Sequence, residues 1–222
     1  MKRNIDISVG EFYHIYNRGT ERRAIFSDEY DYNRFIMQLY LCNNIEKVDL
    51  GDLLKDKKSF VDILSFSRAG TLVDIGSWCL MPNHFHFLVK EKIPGGISIF
   101  LQKLFTSHSK YYNKKYYRTG ALFEGRFKAK HLDYDQYLKY QFAYIHLNPI
   151  SLVDSGWKRK EIVDIEKAKE FLNDYKYSSY LDYLGVDRPE GKIVNRKEFP
   201  EYFETTTDFR EMINEWMDFE TI

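Results

Sequence analysis

Hydrophobic and polar positions follow two periods along this chain, and the places where the period changes mark its elements. Phe12-Tyr13-His14-Ile15-Tyr16 is rich in residues that favour a pleated surface and ends at Asn17-Arg18-Gly19, which predicts a strand and then a turn. Ser27-Asp28 supplies an N-cap for a helix over 29–41, where Tyr32, Phe35, Ile36 and Leu39 recur at helical spacing. Residues 43–70 are polar and mixed, with a short helix near 60–65, and read as a variable insertion. The runs 72–80 and 84–89 are strands joined by a turn at Pro82-Asn83. Pro94-Gly95-Gly96 breaks the chain before a long amphipathic helix over 97–117, and residues 120–132 contain a fourth strand. Asp133 is placed to cap a helix over 134–147, which Pro149 stops from continuing far.

Strand, helix, strand, strand, helix, strand is the order of a split βαβ unit. The expected fold is α+β, ferredoxin-like (RRM-like), an antiparallel sheet with helices on one face and a further helix appended. That domain takes residues 10–150. Residues 151–222 hold Trp157, a helical stretch over 162–172, an aromatic cluster over 175–180 and a last helix near 209–217, and read as an acidic helical extension docked on the first domain.

Composition narrows the class. With 222 residues, 44% hydrophobic and 17% aromatic, the chain can bury one substantial core. It has no apolar run of about 18 residues and no apolar stretch at its start, so a cytoplasmic protein without a membrane partner is expected. Cys42 and Cys79 are far apart and form no CxxC pair, which argues for reduced thiols rather than a disulfide or zinc framework.

The formal net charge is zero, but the charge is segregated. Residues 101–131 carry eight basic side chains against the single acid Glu124, whereas 151–222 carry 11 basic and 17 acidic ones. The basic stretch also holds Phe105, Tyr111, Tyr112, Tyr116, Tyr117, Phe123 and Phe127. Cations that track phosphates and aromatic faces that stack on bases make a single-strand groove; a solvated helix face with its aromatics in the core fits the same composition.

Candidate chemistry sits in two motifs. His84 and His86 flank Phe85 in a predicted strand, so both imidazoles point to one face. In the helix before Pro149, Tyr144 and Asn148 are four apart and share a face. If that face meets the histidine strand, His84, His86 and Asn148 offer three neutral ligands to a divalent ion, with Tyr144 beside them as a nucleophile. Spacing alone does not separate Tyr144 from Tyr137, since Tyr137 and Gln141 repeat the separation on the same stripe. His146 lies about 200° from Tyr144 around the helix and is expected to be structural. His14, His108 and His131 have no ligand-like pairing in the sequence, and Glu124 reads either as a DNA contact or as the partner of an arginine.

Leu80-Met81-Pro82-Asn83-His84-Phe85-His86 together with Tyr144-Ile145-His146-Leu147-Asn148-Pro149 resembles the single-tyrosine HUH transposases, in particular the REP-associated tyrosine transposase branch. Tyr13-His14-Ile15-Tyr16-Asn17-Arg18-Gly19 and Tyr177-Ser178-Ser179-Tyr180 are similar to that branch as well, so the likeness runs over about residues 10–185. The resemblance implies His84, His86 and Asn148 as ligands of Mg²⁺ or Mn²⁺ and Tyr144 as the nucleophile. It also implies attack on single-stranded DNA beside a hairpin, leaving a 5′-phosphotyrosine and a free 3′-hydroxyl that can be rejoined without ATP. Candidate DNA contacts are Arg18, Arg22 and Arg23 after the first strand, with Lys110, Lys114, Arg118, Arg126, Lys128 and Lys130 in the basic segment. Relatives act as monomers or homodimers. Two rival readings share the motifs: a non-catalytic, RRM-like module that binds single strands, and a metal nuclease that uses water in place of tyrosine.

Overall fold

The computed structural model describes residues 6–154, 156–157 and 162–218. Four strands, β1 (Phe12–Arg18), β2 (Val73–Met81), β3 (His84–Glu91) and β4 (Lys128–His131), form one sheet in the order β2-β3-β1-β4, antiparallel at each pairing. Between them run α1 (Glu29–Cys42), connecting β1 to β2 by way of α2 (Leu50–Lys55) and α3 (Phe60–Leu64), and α4 (Gly96–Lys115), connecting β3 to β4. The fold is therefore the expected ferredoxin-like α+β arrangement.

Strand alternation sorts the side chains into two layers. Ile15, Trp78, Leu80, Phe85, Phe87 and Val89 face α1 and α4 and bury against Phe35, Leu39, Phe100 and Leu104. On the opposite face Cys79, Met81 and Leu88 pack against Leu138, Phe142 and Ile145 of the appended helix α5 (Asp135–Leu147). The period of two that sends Phe85 and Phe87 into one core thus sends His84, His86 and Leu88 toward α5. Both cysteines are free, and burial pushes the Cys42 thiol up to about 12.

Local chemistry explains the boundaries, including those the sequence misplaces. Asp28 caps α1 by accepting a hydrogen bond from the Asp31 amide at 3.0 Å. Asp133 does not cap α5. The Leu132 amide still donates to Phe12 O at 2.9 Å, which keeps the chain extended past β4, and the N-cap falls on Tyr134 without a side-chain bond. α5 ends at Leu147, as Pro149 predicts, and the chain continues only as a short 3-10 segment, Asn148–Leu152, with the proline near its start, where its fixed φ is tolerated. In the insertion the short helix near 60–65 is α3, with a capping box between Ser59 and Asp62. The sequence gives no warning of α2, whose six residues are too few to display a period.

After residue 150 come α6 (Ile165–Asp174), α7 (Tyr180–Tyr183) and α8 (Thr206–Asp218). Trp157, Leu172, Tyr180, Tyr183, Phe199, Phe209 and Ile213 complete the core on α5. The aromatic cluster lies along the β2 edge: the Leu80 amide donates to Tyr177 O and the Ser179 amide to Trp78 O, each at 2.9 Å, so this edge of the sheet is covered. Lys158, Arg159 and Lys160, which the charge count includes, lie outside the described residues. Among the described residues no helix is long and apolar enough to cross a membrane.

Candidate active site

Register places the first two functional groups. In the β1–β3 pairing Arg18 is opposite His84 and Tyr16 is opposite His86, and α5 passes over that face. The rings of His84 and His86 stand 5.0 Å apart and almost perpendicular. Asn148, fully buried at the C-cap of α5, directs Oδ1 to within 3.3 Å of His84 Nε2. Tyr144 is one turn earlier and half-buried, and its ring meets His86 edge-on with 5.5 Å between centroids. The strand histidines and the helix pair, 64 residues apart between His84 and Asn148, therefore meet.

Tautomer logic gives this cluster its chemistry. Asn83 Oδ1 can only accept, so His84 Nδ1, at 2.7 Å, donates to it. The lone pair left on His84 Nε2 then faces the Asn148 carbonyl oxygen. Two electron-rich atoms at this separation suit a cation between them, because neighbouring octahedral ligands about 2.1 Å from a divalent ion are about 3 Å apart. His86 Nδ1 is 2.8 Å from His14 Nε2, which leaves His86 its Nε2 as the third donor. Two imidazoles and an amide oxygen form a mixed nitrogen and oxygen donor set that can take a divalent ion, the imidazoles favouring borderline metals and the amide oxygen hard ones. Among the described residues no cluster of three His, Cys, Asp or Glu side chains forms an alternative metal site.

His84, His86 and Tyr144 open on a cavity of about 350 Å³, whose wall also includes Arg18, Arg22 and Lys128, while Asn148 lies buried behind His84. Three cations around a tyrosine hydroxyl make an anion-attracting recess. Burial raises the Tyr144 pKa above the ordinary value of 10, and the adjacent Asn148 amide opposes the rise. The phenol is therefore neutral at pH 7. Tyr137 does not line the cavity; its ring is under Lys130, with Nζ 4.2 Å from the centroid.

The basic candidates divide by position. Arg18, Arg22 and Lys128 line the cavity, and Lys130 continues the same sheet face on β4. Arg18 is also the partner of Glu124, with a 3.0 Å bond from Nη2 to Oε1 and a second contact from Nε to Oε2. Arg23 turns back to Glu21 at 2.9 Å. Arg126 is exposed on the loop before β4. Lys110 and Lys114 are exposed on α4, in the layer behind the sheet, and Arg118 follows them with its guanidinium 5.9 Å from the Tyr112 ring.

Of the remaining histidines, His146 is fully buried, bonded to Ser179 Oγ at 2.8 Å, and held by burial at a pKa of about 3. His108 contacts Ile25 O at 2.9 Å and His131 contacts Glu11 at 2.8 Å, both away from the cavity. His14 corrects the sequence reading, because it does have a pairing. Its partner is His86, 72 residues away, and only the β1–β3 register, which brings Tyr16 opposite His86, would have disclosed it.

Residues 52–148 match the model of the family described as IS200-like transposases. No curated protein matches the chain. Among solved structures, that of a REP-associated tyrosine transposase bound to a REP hairpin is similar over 86% of this chain and 90% of that chain, at 12% identity and a TM-score of 0.48. The matched segment takes in His84, His86, Tyr144 and Asn148.

Proposed function

We propose that this protein cuts and rejoins single-stranded DNA beside a hairpin, with Tyr144 as the nucleophile. The observation that carries the reading is the meeting of the Tyr144 phenol with His84 and His86 in one recess walled by Arg18, Arg22 and Lys128, with the Asn148 amide buried behind it against His84. His84 Nε2, His86 Nε2 and Asn148 Oδ1 would hold one Mg²⁺ or Mn²⁺, which when bound polarises the scissile phosphate. Arg18, Arg22 and Lys128 draw the phosphate into the recess. Tyr144 Oη forms its bond to phosphorus as the bond to the 3′ oxygen breaks; the phenolic proton leaves Oη, and the departing oxygen gains one to become a 3′-hydroxyl. Because the neutral phenol dominates at pH 7, loss of that proton accompanies attack. The product is a 5′-phosphotyrosine, which another 3′-hydroxyl reverses, so joining needs no ATP. A single strand can bend its phosphate down to Tyr144, whereas a duplex resists such bending.

The test is a labelled hairpin with single-strand flanks, incubated with protein and Mn²⁺ and resolved under denaturing conditions. A protein-linked DNA band that disappears in Tyr144→Phe is expected. Cut DNA without an adduct, persisting in Tyr144→Phe, would identify a water-using nuclease, and binding without any cut would identify a binding module.

A further inference from the structure

Three more tyrosines precede Tyr144 on α5 or at its start. Tyr134, Tyr137, Tyr140 and Tyr144 follow one another at steps of three, three and four residues, and at 100° per residue they lie within an arc of about 120°. Their rings form a continuous series, with centroids 5.6 Å apart from Tyr134 to Tyr137, 6.2 Å to Tyr140 and 6.1 Å to Tyr144. The last two pairs are stacked, with interplanar angles of 10° and 29°. The adjoining side of α5 carries Leu138, Phe142 and Ile145 into the core; Tyr137 and Tyr144 pack against the edge of that core and Tyr140 meets Trp216 at 5.1 Å, which leaves the outer part of the row at the surface. Tyr134 is 63% exposed and Tyr140 37%.

Charge accompanies the rings. Lys130 Nζ is over Tyr137, and Lys128, two residues earlier on the same strand, is in the wall of the cavity. The row therefore begins at the proposed nucleophile and extends outward over about 15 Å of helix, flanked by cations. A protein partner would need an apolar or acidic complement; a row of π-faces beside lysines, continuous with an anion recess, matches a nucleic acid strand.

We propose that Tyr134, Tyr137 and Tyr140 form a stacking ledge for the bases of the single strand that flanks the phosphate held at Tyr144, with Lys130 on its backbone. The ledge reads no sequence, since every base offers a π-face. It rests on the catalytic reading only for where the strand enters.

The experiment needs no metal and no cleavage. Tyr144→Phe protein, which keeps the ring, is titrated with fluorescent hairpins bearing single-strand flanks of up to about six nucleotides on one side or the other. Affinity is expected to rise with the length of one flank, by about fivefold or more for each stacked base. Tyr134→Leu with Tyr137→Leu should lose that increment, and phenylalanine at both positions should keep it. An abasic flank of equal length should lose the increment for each base and keep only the smaller gain from Lys130 on the backbone, an arm that needs no further variant and so decides the matter if the leucine protein folds poorly. Flank-independent affinity, equal binding of the abasic strand, or an undiminished increment in the folded leucine variant would each overturn the ledge. Absence of an adduct in the wild-type cleavage assay would overturn the catalytic reading instead and leave this measurement intact.

Discussion

His14 Nε2 lies 2.8 Å from His86 Nδ1, and this contact between neighbouring strands holds the His86 ring by its Nδ1. Burial, with Lys130 nearby, holds the His14 pKa at about 3, so His14 is neutral and can accept the Nδ1 proton of His86. Asn83 does the same for His84. Outer partners of this kind orient imidazole ligands and raise their basicity. His14→Phe should therefore weaken Mn²⁺ binding by about 10- to 100-fold in calorimetry without DNA, while His14→Gln, which can accept, should retain most of it. Equal Mn²⁺ affinity in wild type and His14→Phe would remove His14 from the site.

Asn148 separates function from stability. It is fully buried, its Oδ1 lies 3.3 Å from His84 Nε2, longer than a good hydrogen bond, and its side chain also interacts with the Tyr144 hydroxyl. Leucine repeats the heavy-atom branching of asparagine and brings no polar atom into the interior, but it is larger, and overpacking of this kind costs about 1–3 kcal/mol. Asn148→Leu should remain folded with a loss of about that size yet form no protein–DNA adduct. An adduct at the wild-type rate in this variant would exclude Asn148 from the chemistry.

The lysines should also divide as their positions do. Lys128 is in the cavity wall, whereas Lys110 is on α4 behind the sheet. Each phosphate contact to a single strand adds about 0.7 to the slope of log affinity against log salt. Lys128→Gln should flatten that slope by about this amount, and Lys110→Gln should leave it unchanged; the reverse pattern would move the DNA path to the other face.

Acid stability follows from histidines buried in the neutral form, His14 and, away from the site, His108 and His146. Burial lowers His108 to about 4 and His146 to about 3, against 6.5 for an exposed imidazole. The unfolded chain binds these protons first, so stability is complete above about pH 6.5 and falls as the pH drops toward the folded-state values. Within that window each histidine contributes up to about 1.4 kcal/mol per pH unit. Urea midpoints measured in EDTA should decline between pH 6.5 and 4, and His108→Gln should make the decline shallower. An unchanged slope in that variant would show that other groups govern the acid limit.

The legible parts of this molecule were those written as short-range periods and motifs. Alternation around His84 and His86 and the four-residue step from Tyr144 to Asn148 specified two faces, and each lies where those periods put it. What could not be read depends on pairing across the chain. The His14–His86 contact requires the register of two strands, and the division of the lysines requires knowing which layer α4 occupies. Tyr137 and Tyr144 were equivalent by spacing, and only the angle at which α5 crosses the sheet brings Tyr144 to the cavity and leaves Tyr137 beneath Lys130.

The segment after residue 150 supports α5 from behind. Phe209 of α8 is fully buried and packs edge-on against His146, at 5.2 Å between centroids, and against Tyr183 at the same distance. His146 is two residues from Tyr144 on the far side of α5, so a loss of packing there loosens the helix that sets the position of the phenol. Phe209→Ala removes a buried aromatic ring and should cost about 3–5 kcal/mol, read as a lower urea midpoint in a single transition. Because sheet and extension share the core around α5, far-UV circular dichroism and tryptophan fluorescence should report that transition together. Two separate transitions, with Phe209→Ala shifting only one, would show that the extension folds independently and does not brace Tyr144.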